Sequence, residues 1–295
     1  MKTSHRSGFT LIELLVCVAV IAVLTSIAIP VISGMRKKAS MTREISSARR
    51  IISGYLAYAA DHDGDLMPGF ANFPAKDERG KEVHNPVNWR YPWRLAPYLD
   101  YDMRSFWGNE SDDRIAKAAR GDHDGYVYAV SVQPALGINA LFVGGDYQVL
   151  SPEKTKNITL YGQFCVTRLG QASNAPQLIV FASAAGMYEG QKMTGYFKVT
   201  APNFTTRNWI GDYSEKKNDP TLTGNVDFRY EDRAVAAMLD GHIEMMDFDQ
   251  MNDMRRWSNQ AATAENKNWM IGGSEEVSGA DIVSAGTHVT TKPQP

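Results

Sequence analysis

A single charged side chain, Glu13, lies within the longest apolar stretch of this 295-residue chain. The stretch runs from Phe9 to Ile32 and contains no other charged residue. A carboxylate in such surroundings is costly unless a cation neutralises it, so Glu13 is a functional candidate that requires a partner. The alternative is a glutamate whose carboxylate reaches the interface between lipid and water.

The residues before Glu13 form a distinctive string. A short polar leader, Met1–Gly8, precedes Gly8-Phe9-Thr10-Leu11-Ile12-Glu13. This combination resembles the signature of type IV prepilins and type II secretion pseudopilins. The resemblance implies that a prepilin peptidase cleaves after Gly8 and that Phe9 is then N-methylated. It also implies that Glu13 neutralises the terminal amine of a neighbouring pilin or pseudopilin subunit during assembly.

The apolar stretch itself predicts a membrane helix. At ~1.5 Å per residue it covers a hydrocarbon core of ~30 Å, and no cleavage site of an ordinary secretory signal follows it. Charge leaves the orientation open, since Lys2 and Arg6 favour a cytoplasmic N-terminus and the basic residues 36–38 oppose it. Pro30 either bends the helix, as the resemblance implies, or ends the membrane segment.

A second helical pattern follows the apolar stretch. Apolar residues recur at spacings of three and four from Ile45 to Ala59, which predicts an amphipathic stalk helix that ends near Ala60. The next residues are acidic, and hard cations such as Ca²⁺ prefer clustered carboxylate oxygens. The string lacks the closing glutamate of an EF-hand, so an acidic turn is the other interpretation. The candidate calcium ligands are Asp61, Asp63 and Asp65.

The remainder of the chain predicts a mainly antiparallel β domain. The segment from Tyr91 to Leu99 predicts a helical turn whose aromatic rings pack in a core. The strongest local signal is Asp240-Gly241 between two apolar-rich runs, which predicts a tight hairpin turn. Short runs typical of strands are 126–132, 147–150, 157–166, 177–182, 195–200 and 234–247.

This hairpin carries a second resemblance. Pilin-like proteins with large C-terminal domains often contain a histidine, nine further residues and then Asp-Gly. Here Tyr230 precedes nine residues and Asp240-Gly241, so tyrosine stands in the position of the histidine. The departure argues against any metal role that needs this histidine and leaves the turn intact.

Composition and motifs exclude several classes of function. The formal net charge of -2 provides no basic field for nucleic acid, so no nucleic-acid partner is expected. Nucleotide-binding loops, hydrolase elbows and paired-cysteine zinc patterns are missing from the sequence, so we expect no enzyme, cofactor or structural metal. An exposed aromatic surface would instead favour a membrane-anchored adhesin or carbohydrate-binding module. The rings concerned are Tyr91, Trp93, Trp107 and Trp209.

The sequence therefore predicts an α+β protein that assembles through its N-terminal helix. We expect a structural subunit of a type IV pilus or type II secretion pseudopilus, anchored in the inner membrane by a single pass and in contact with its lipid. Its C-terminal domain is expected in the periplasm or on a cell-surface filament. The predicted divisions are a leader (1–8), a membrane helix and stalk (9–60), a soluble α+β domain (61–271) and a disordered tail (272–295).

Overall fold

The computed structural model describes residues 11–107, 121–147, 164–213 and 219–272. The chain divides into two units, Met1–Thr42 and Arg43–Pro295, which we call the N-terminal unit and the globular unit. The boundary falls within helix α1 (Leu11–Asp61). The prediction of an N-terminal helix followed by a mostly sheet domain is confirmed at the level of the α+β class.

The described part of the N-terminal unit consists of α1 alone. The helix continues through Pro30 without interruption, and the bend predicted at this residue stays a prediction. Among the helices of the described residues, none has the length and apolar character required to cross a membrane, so the predicted membrane-spanning helix is not supported.

In the globular unit, α1 is amphipathic as its spacing predicts. Side chains on one face are fully buried, including Ile51, Ile52 and Tyr55. The Tyr55 ring packs edge-to-face on Phe181 with centroids 5.5 Å apart, and its hydroxyl donates to the Met67 carbonyl at 3.1 Å. Burying each of the large apolar side chains stabilises the fold by about 1.5–3 kcal/mol, so this face fixes the helix on the domain.

A five-stranded sheet forms the centre of the globular unit, with the strand order β7-β3-β4-β8-β9. The pairs β3–β4, β4–β8 and β8–β9 are antiparallel, and β3–β7 is parallel. The sheet is therefore mainly antiparallel. Its strands are β3 (Leu136–Asn139), β4 (Ile179–Ser183), β7 (Lys198–Val199), β8 (Arg233–Met238) and β9 (Ile243–Asp247).

The central strand β8 separates two apolar cores. Val235 and Ala237 pack in the core that contains the buried face of α1. Ala234 and Ala236 point to the other face, in a core that contains Trp209, Trp257 and several methionines. Because successive side chains of a strand alternate between faces, an apolar run such as that of β8 suits a strand buried on both sides.

Short elements surround this sheet. Two antiparallel ladders stand apart from it, β1 with β2 and β5 with β6. Their strands are β1 (Ala75–Lys76), β2 (Glu82–Val83), β5 (Ala185–Tyr188) and β6 (Gln191–Thr194). The other α-helices of the described residues are α2 (Tyr91–Leu95), α3 (His123–Val132), α4 (Phe248–Met251) and α5 (Asn259–Thr263).

The strand expected over 126–132 is wrong, because these residues belong to helix α3. Asp122 caps this helix by accepting the backbone N–H groups of Asp124 and Gly125 at 3.0 and 3.1 Å. The buried residues Tyr126, Val127, Val130 and Ser131 follow a helical spacing that their β-branched and aromatic types conceal.

The other strand expectations divide into two groups. The run 177–182 overlaps β4 and the run 234–247 overlaps β8 and β9, whereas 195–200 contains only the two-residue strand β7. Tyr147 lies in a turn, and residues 148–150 and 157–163 lie outside the described residues. The tail beyond residue 272 also lies outside them.

Candidate functional site

The predicted processing residues Gly8 and Phe9 lie outside the described residues. Glu13 lies in the first described turn of α1 and is exposed. The structure therefore places the candidate assembly glutamate on an exposed part of the helix surface.

The described surface of the N-terminal unit is largely apolar as far as Met35. Large aliphatic side chains from Leu11 to Met35 remain exposed, and Ile21 and Leu24 are 59% and 61% exposed. Exposed apolar patches larger than a few hundred Å² mark contact sites for proteins or membranes. Burial of this apolar helix surface therefore requires contact with other proteins or with a membrane. The exposed large apolar residues are Leu11, Ile12, Leu14, Leu15, Val16, Val18, Val20, Ile21, Val23, Leu24, Ile27, Ile29, Ile32 and Met35.

The globular unit contains a second glutamate with the opposite environment. Glu44 is only 3% exposed and accepts hydrogen bonds on both carboxylate oxygens. The Ser183 hydroxyl donates to Oε1, the Tyr230 hydroxyl donates to Oε2 at 2.7 Å, and Arg229 Nη1 lies 3.5 Å from Oε2. These partners supply the charge and the hydrogen bonds that a buried carboxylate needs.

Arg229 extends this contact into a chain of alternating charges. Its Nε lies 3.2 Å from Asp227 Oδ2, and Lys192 Nζ lies 2.8 Å from Asp227 Oδ1. Its Nη2 also donates to the carbonyls of Ala184 and Ala135, at 2.7 and 3.1 Å. The charges of the two acidic and two basic side chains therefore neutralise each other. These contacts connect α1 to the strands inside the globular unit.

Tyr230 completes the hydrogen bonding of Glu44. Burial, followed by the negative charge of Glu44, raises the pKa of Tyr230 far above its ordinary value. The phenol therefore stays protonated and donates to Glu44 throughout the physiological pH range. The tyrosine that stands in the position of the histidine therefore has a structural role here. Membership of the pilin-like subgroup with a histidine, nine residues and Asp-Gly is not confirmed.

The structure places Asp240 and Gly241 in the turn between β8 and β9. Gly241 has a φ of 96°, a value that side-chain-bearing residues rarely adopt. Asp240 Oδ1 accepts from the backbone N–H of His242 at 3.1 Å and lies 2.6 Å from its Nδ1. The other ring nitrogen of His242 lies 3.1 Å from Glu244 Oε1, so the imidazole bridges two carboxylates.

Protonation of His242 is coupled to these carboxylates. Burial alone would lower the pKa of His242, but the hydrogen bonds and charges of Glu244 and Asp240 outweigh it and raise this pKa above its ordinary value. For Asp240, burial opposes ionisation, and the hydrogen bonds from His242 prevail and lower the carboxyl pKa. The turn therefore carries a small ion network at the surface.

The calcium candidates do not come together as a ligand set. Asp65 pairs with Arg168 Nε at 2.8 Å, and Asp63 adopts a φ of 52° in the turn that ends α1. Throughout the described ranges, no group of three or more histidine, cysteine, aspartate or glutamate side chains is arranged to hold a metal ion.

The aromatic surface expected for a carbohydrate-binding module is not found at the named residues. Tyr91, Trp93 and Trp209 are fully buried, and Trp107 is partly buried. Two of these side chains bond to backbone within the domain, since the Tyr91 hydroxyl donates to the Leu136 carbonyl and Trp93 Nε1 donates to the Val127 carbonyl. These rings are core residues, which counts against the adhesin alternative.

Sequence reasoning missed Glu44 as a site residue. Its signal lay in the helical spacing, because Glu44 precedes the buried Ala48 by four residues and Ile51 by seven. An acid on the apolar face of an amphipathic helix indicates a paired buried carboxylate. The identity of its partners had no local signal, since Ser183 and Tyr230 lie 139 and 186 residues away in the chain.

Comparison with known proteins bears on the N-terminal unit. Residues 3–29 match the family model of the prokaryotic N-terminal methylation motif. The motif indicates a type IV pilin- or pseudopilin-like precursor. It implies processing by a prepilin peptidase, assembly with pilin subunits and anchoring at the membrane through the N-terminal region. No curated protein and no solved structure matches the chain.

Proposed function

We propose that this chain is a structural subunit of a type IV pilus or type II secretion pseudopilus. Prepilin peptidase cleaves it between Gly8 and Phe9, and its N-terminal helix then packs among the helices of neighbouring subunits. The methylation motif over residues 3–29 is the observation that carries this proposal. The role is structural, with no catalytic step assigned to the chain.

The surface of the N-terminal unit supports this role. Its large aliphatic side chains from Leu11 to Met35 are exposed, so helices of other subunits can pack against them. In the membrane, close packing of side chains and polar contacts drive the association of helices, because lipid tails are as apolar as the side chains themselves. Before assembly, lipid of the inner membrane anchors the same surface, with the globular unit on the extracytoplasmic side.

Glu13 gives the helix packing a defined register. In the proposed assembly its carboxylate pairs with the α-amine of Phe9 from an adjacent subunit, as in the family that the N-terminal string resembles. A charge among apolar side chains is costly without a partner, so displaced registers that separate the two charges are disfavoured. The pairing therefore selects one axial position among many equally apolar ones.

The substitution Glu13→Gln tests this assignment, because it keeps the shape of the side chain and removes its charge. We expect normal cleavage and methylation, and a fall in filament incorporation of about 100-fold or more, since breaking a buried ion pair costs about 3–5 kcal/mol and each 1.4 kcal/mol is about tenfold. Incorporation is measured by quantifying the subunit in sheared or purified filaments from a strain that carries the assembly machinery.

A matched control is Asp249→Asn, which removes one exposed carboxylate from the globular unit. This variant should incorporate as the unaltered chain does. Incorporation of the Glu13→Gln chain at the normal level would show that Glu13 is not the charge that sets the register.

A further inference from the structure

Three consecutive basic residues follow the apolar surface of the N-terminal unit directly. Arg36, Lys37 and Lys38 come immediately after Met35, the last of the exposed large apolar residues of this helix, and all three are exposed. With Arg43 they are the only charged residues of the sequence between Glu13 and Glu44. We call residues 36–38 the basic collar.

Among the described residues, none forms an ion pair with Arg36, Lys37 or Lys38. Some other basic side chains do have ion-pair partners. Arg50 Nη1 lies 2.6 Å from Asp102 Oδ2, for example, and Arg168 Nε lies 2.8 Å from Asp65 Oδ1. In the collar, three consecutive positive charges without an ion pair among the described residues lie at one level of the helix.

Because the three residues are consecutive, they surround part of the helix at one level and do not form a line along one face. Successive residues of an α-helix are rotated by about 100° and separated by about 1.5 Å along the axis. Three consecutive basic residues thus spread over about 200° of the circumference within about 3 Å of axial length. Basic residues along one side of a helix would match a partner that lies parallel to the helix axis. Basic residues at one level match a layer of negative charge that lies across the axis.

We propose that the basic collar binds the anionic phosphates of lipid headgroups. The proposal rests on the proposed function, since it specifies how the anchored subunit is held before assembly. Ile32 and Met35, which adjoin the collar, remain exposed and apolar. A lipid surface covers such side chains with acyl chains while its phosphates meet the cations, and a nucleic-acid backbone offers no such apolar layer.

The test compares the full chain with a variant in which the collar is neutralised, Arg36→Gln, Lys37→Gln and Lys38→Gln. Each chain is synthesised cell-free in the presence of preformed vesicles of phosphatidylcholine, alone or with 30% phosphatidylglycerol, and recovered by flotation. Each basic residue contributes about a fivefold preference for an anionic surface, so the variant should bind the anionic vesicles about 100-fold more weakly. Binding to the neutral vesicles should not change.

A matched control removes the same amount of charge from the globular unit by Lys76→Gln, Arg79→Gln and Arg104→Gln, three exposed basic residues. This control should float with anionic vesicles as the unaltered chain does. Raising the salt from about 0.1 to 1 M should abolish the preference for anionic vesicles, because the screening length falls from about 10 to 3 Å. Replacing chloride by inorganic phosphate at equal ionic strength should have no additional effect.

The outcomes separate this proposal from the proposed function. Equal flotation of the collar variant and the unaltered chain with anionic vesicles would overturn the lipid contact and leave the anchoring intact. Loss of flotation with both vesicle types by the unaltered chain would overturn the anchoring and the collar together. Equal losses in the collar variant and the control would reduce the effect to net charge, and a specific effect of inorganic phosphate would indicate a free-anion site; either result would overturn the proposal.

Discussion

The N-terminal and globular units use one helix in two different ways. In the globular unit, Ile52 and Tyr55 are fully buried on one face, and polar side chains occupy the other. In the N-terminal unit, the aliphatic side chains are exposed around the whole circumference. A helix that is apolar on every side finds a stable environment only in a larger apolar surrounding, such as a bundle or a membrane. The first unit is therefore built for other molecules and the second for its own core.

The two glutamates of α1 show the same difference at the level of single atoms. Glu44 finds its hydrogen bonds and its counter-charge within the globular unit, from Ser183, Tyr230 and Arg229. Glu13 lies on an exposed helical surface, and its proposed counter-charge comes from another subunit. A carboxylate on this helix can thus have a folding role or an assembly role, and the location of its counter-charge distinguishes the two.

We expect the largest loss of stability when the carboxylate of Glu44 is removed. Glu44→Ala leaves Ser183 and Tyr230 without their acceptor and should lower the free energy of unfolding by about 3–5 kcal/mol. All six tryptophans lie beyond residue 43, so tryptophan fluorescence during denaturant unfolding reports on the globular unit alone. Glu13→Ala in the same assay should leave the unfolding midpoint unchanged. Equal midpoints for Glu44→Ala and the unaltered chain would contradict the assigned role of Glu44.

Substitutions of two isoleucines compare a buried position of α1 with an exposed one. Ile52→Ala removes a fully buried side chain and should cost about 2–5 kcal/mol of stability, through lost burial and the remaining cavity. Ile21→Ala removes a side chain that is 59% exposed, and it should change the same transition by less than about 0.5 kcal/mol. Denaturant titrations of both variants measure the difference, and similar costs at the two positions would contradict the division into two environments.

The smallest expected effect concerns pH and the β8–β9 turn. The pKa of His242 is raised above its ordinary value of 6.5. Its contribution to stability is therefore fully present below pH 6.5 and is lost as pH rises through the folded-state value. Solvent screens this partly exposed network, which includes Asp240, Glu244 and Arg256, so the effect should be small.

Unfolding midpoints of the unaltered chain and of His242→Gln at several pH values between 5.5 and 8.5 test this coupling. The advantage of the unaltered chain should decrease towards alkaline pH. An advantage that grows with pH would contradict the predicted sign.

Features encoded in short stretches were predictable from the sequence. The string that ends in Glu13 pointed to the methylation motif, and Asp240-Gly241 marked the position of the β8–β9 turn. The strand expected at 126–132 failed because β-branched and aromatic residues conceal the helical spacing of α3. The core packing predicted for the rings of 91–99 is confirmed at Trp93, whereas the burial of Trp209 depends on distant elements and had no local signal.

The Glu44 network was the least predictable part of the fold. Its members come from α1, from β4 and from the segment before β8, and they meet only when the sheet has formed. The membrane-spanning helix was expected from hydropathy of the sequence and is not supported among the described helices. The local sequence thus indicates how the chain is processed more clearly than how its globular unit is held together.

The N-terminus of the mature chain tests the central claim most directly. The full chain is coexpressed with a prepilin peptidase, and the mass of the intact product and of its N-terminal peptide is measured. The account predicts loss of the eight residues Met1–Gly8 and an N-methylated Phe9 at the new terminus. An uncleaved chain, a cut at another position or an unmethylated phenylalanine would contradict it.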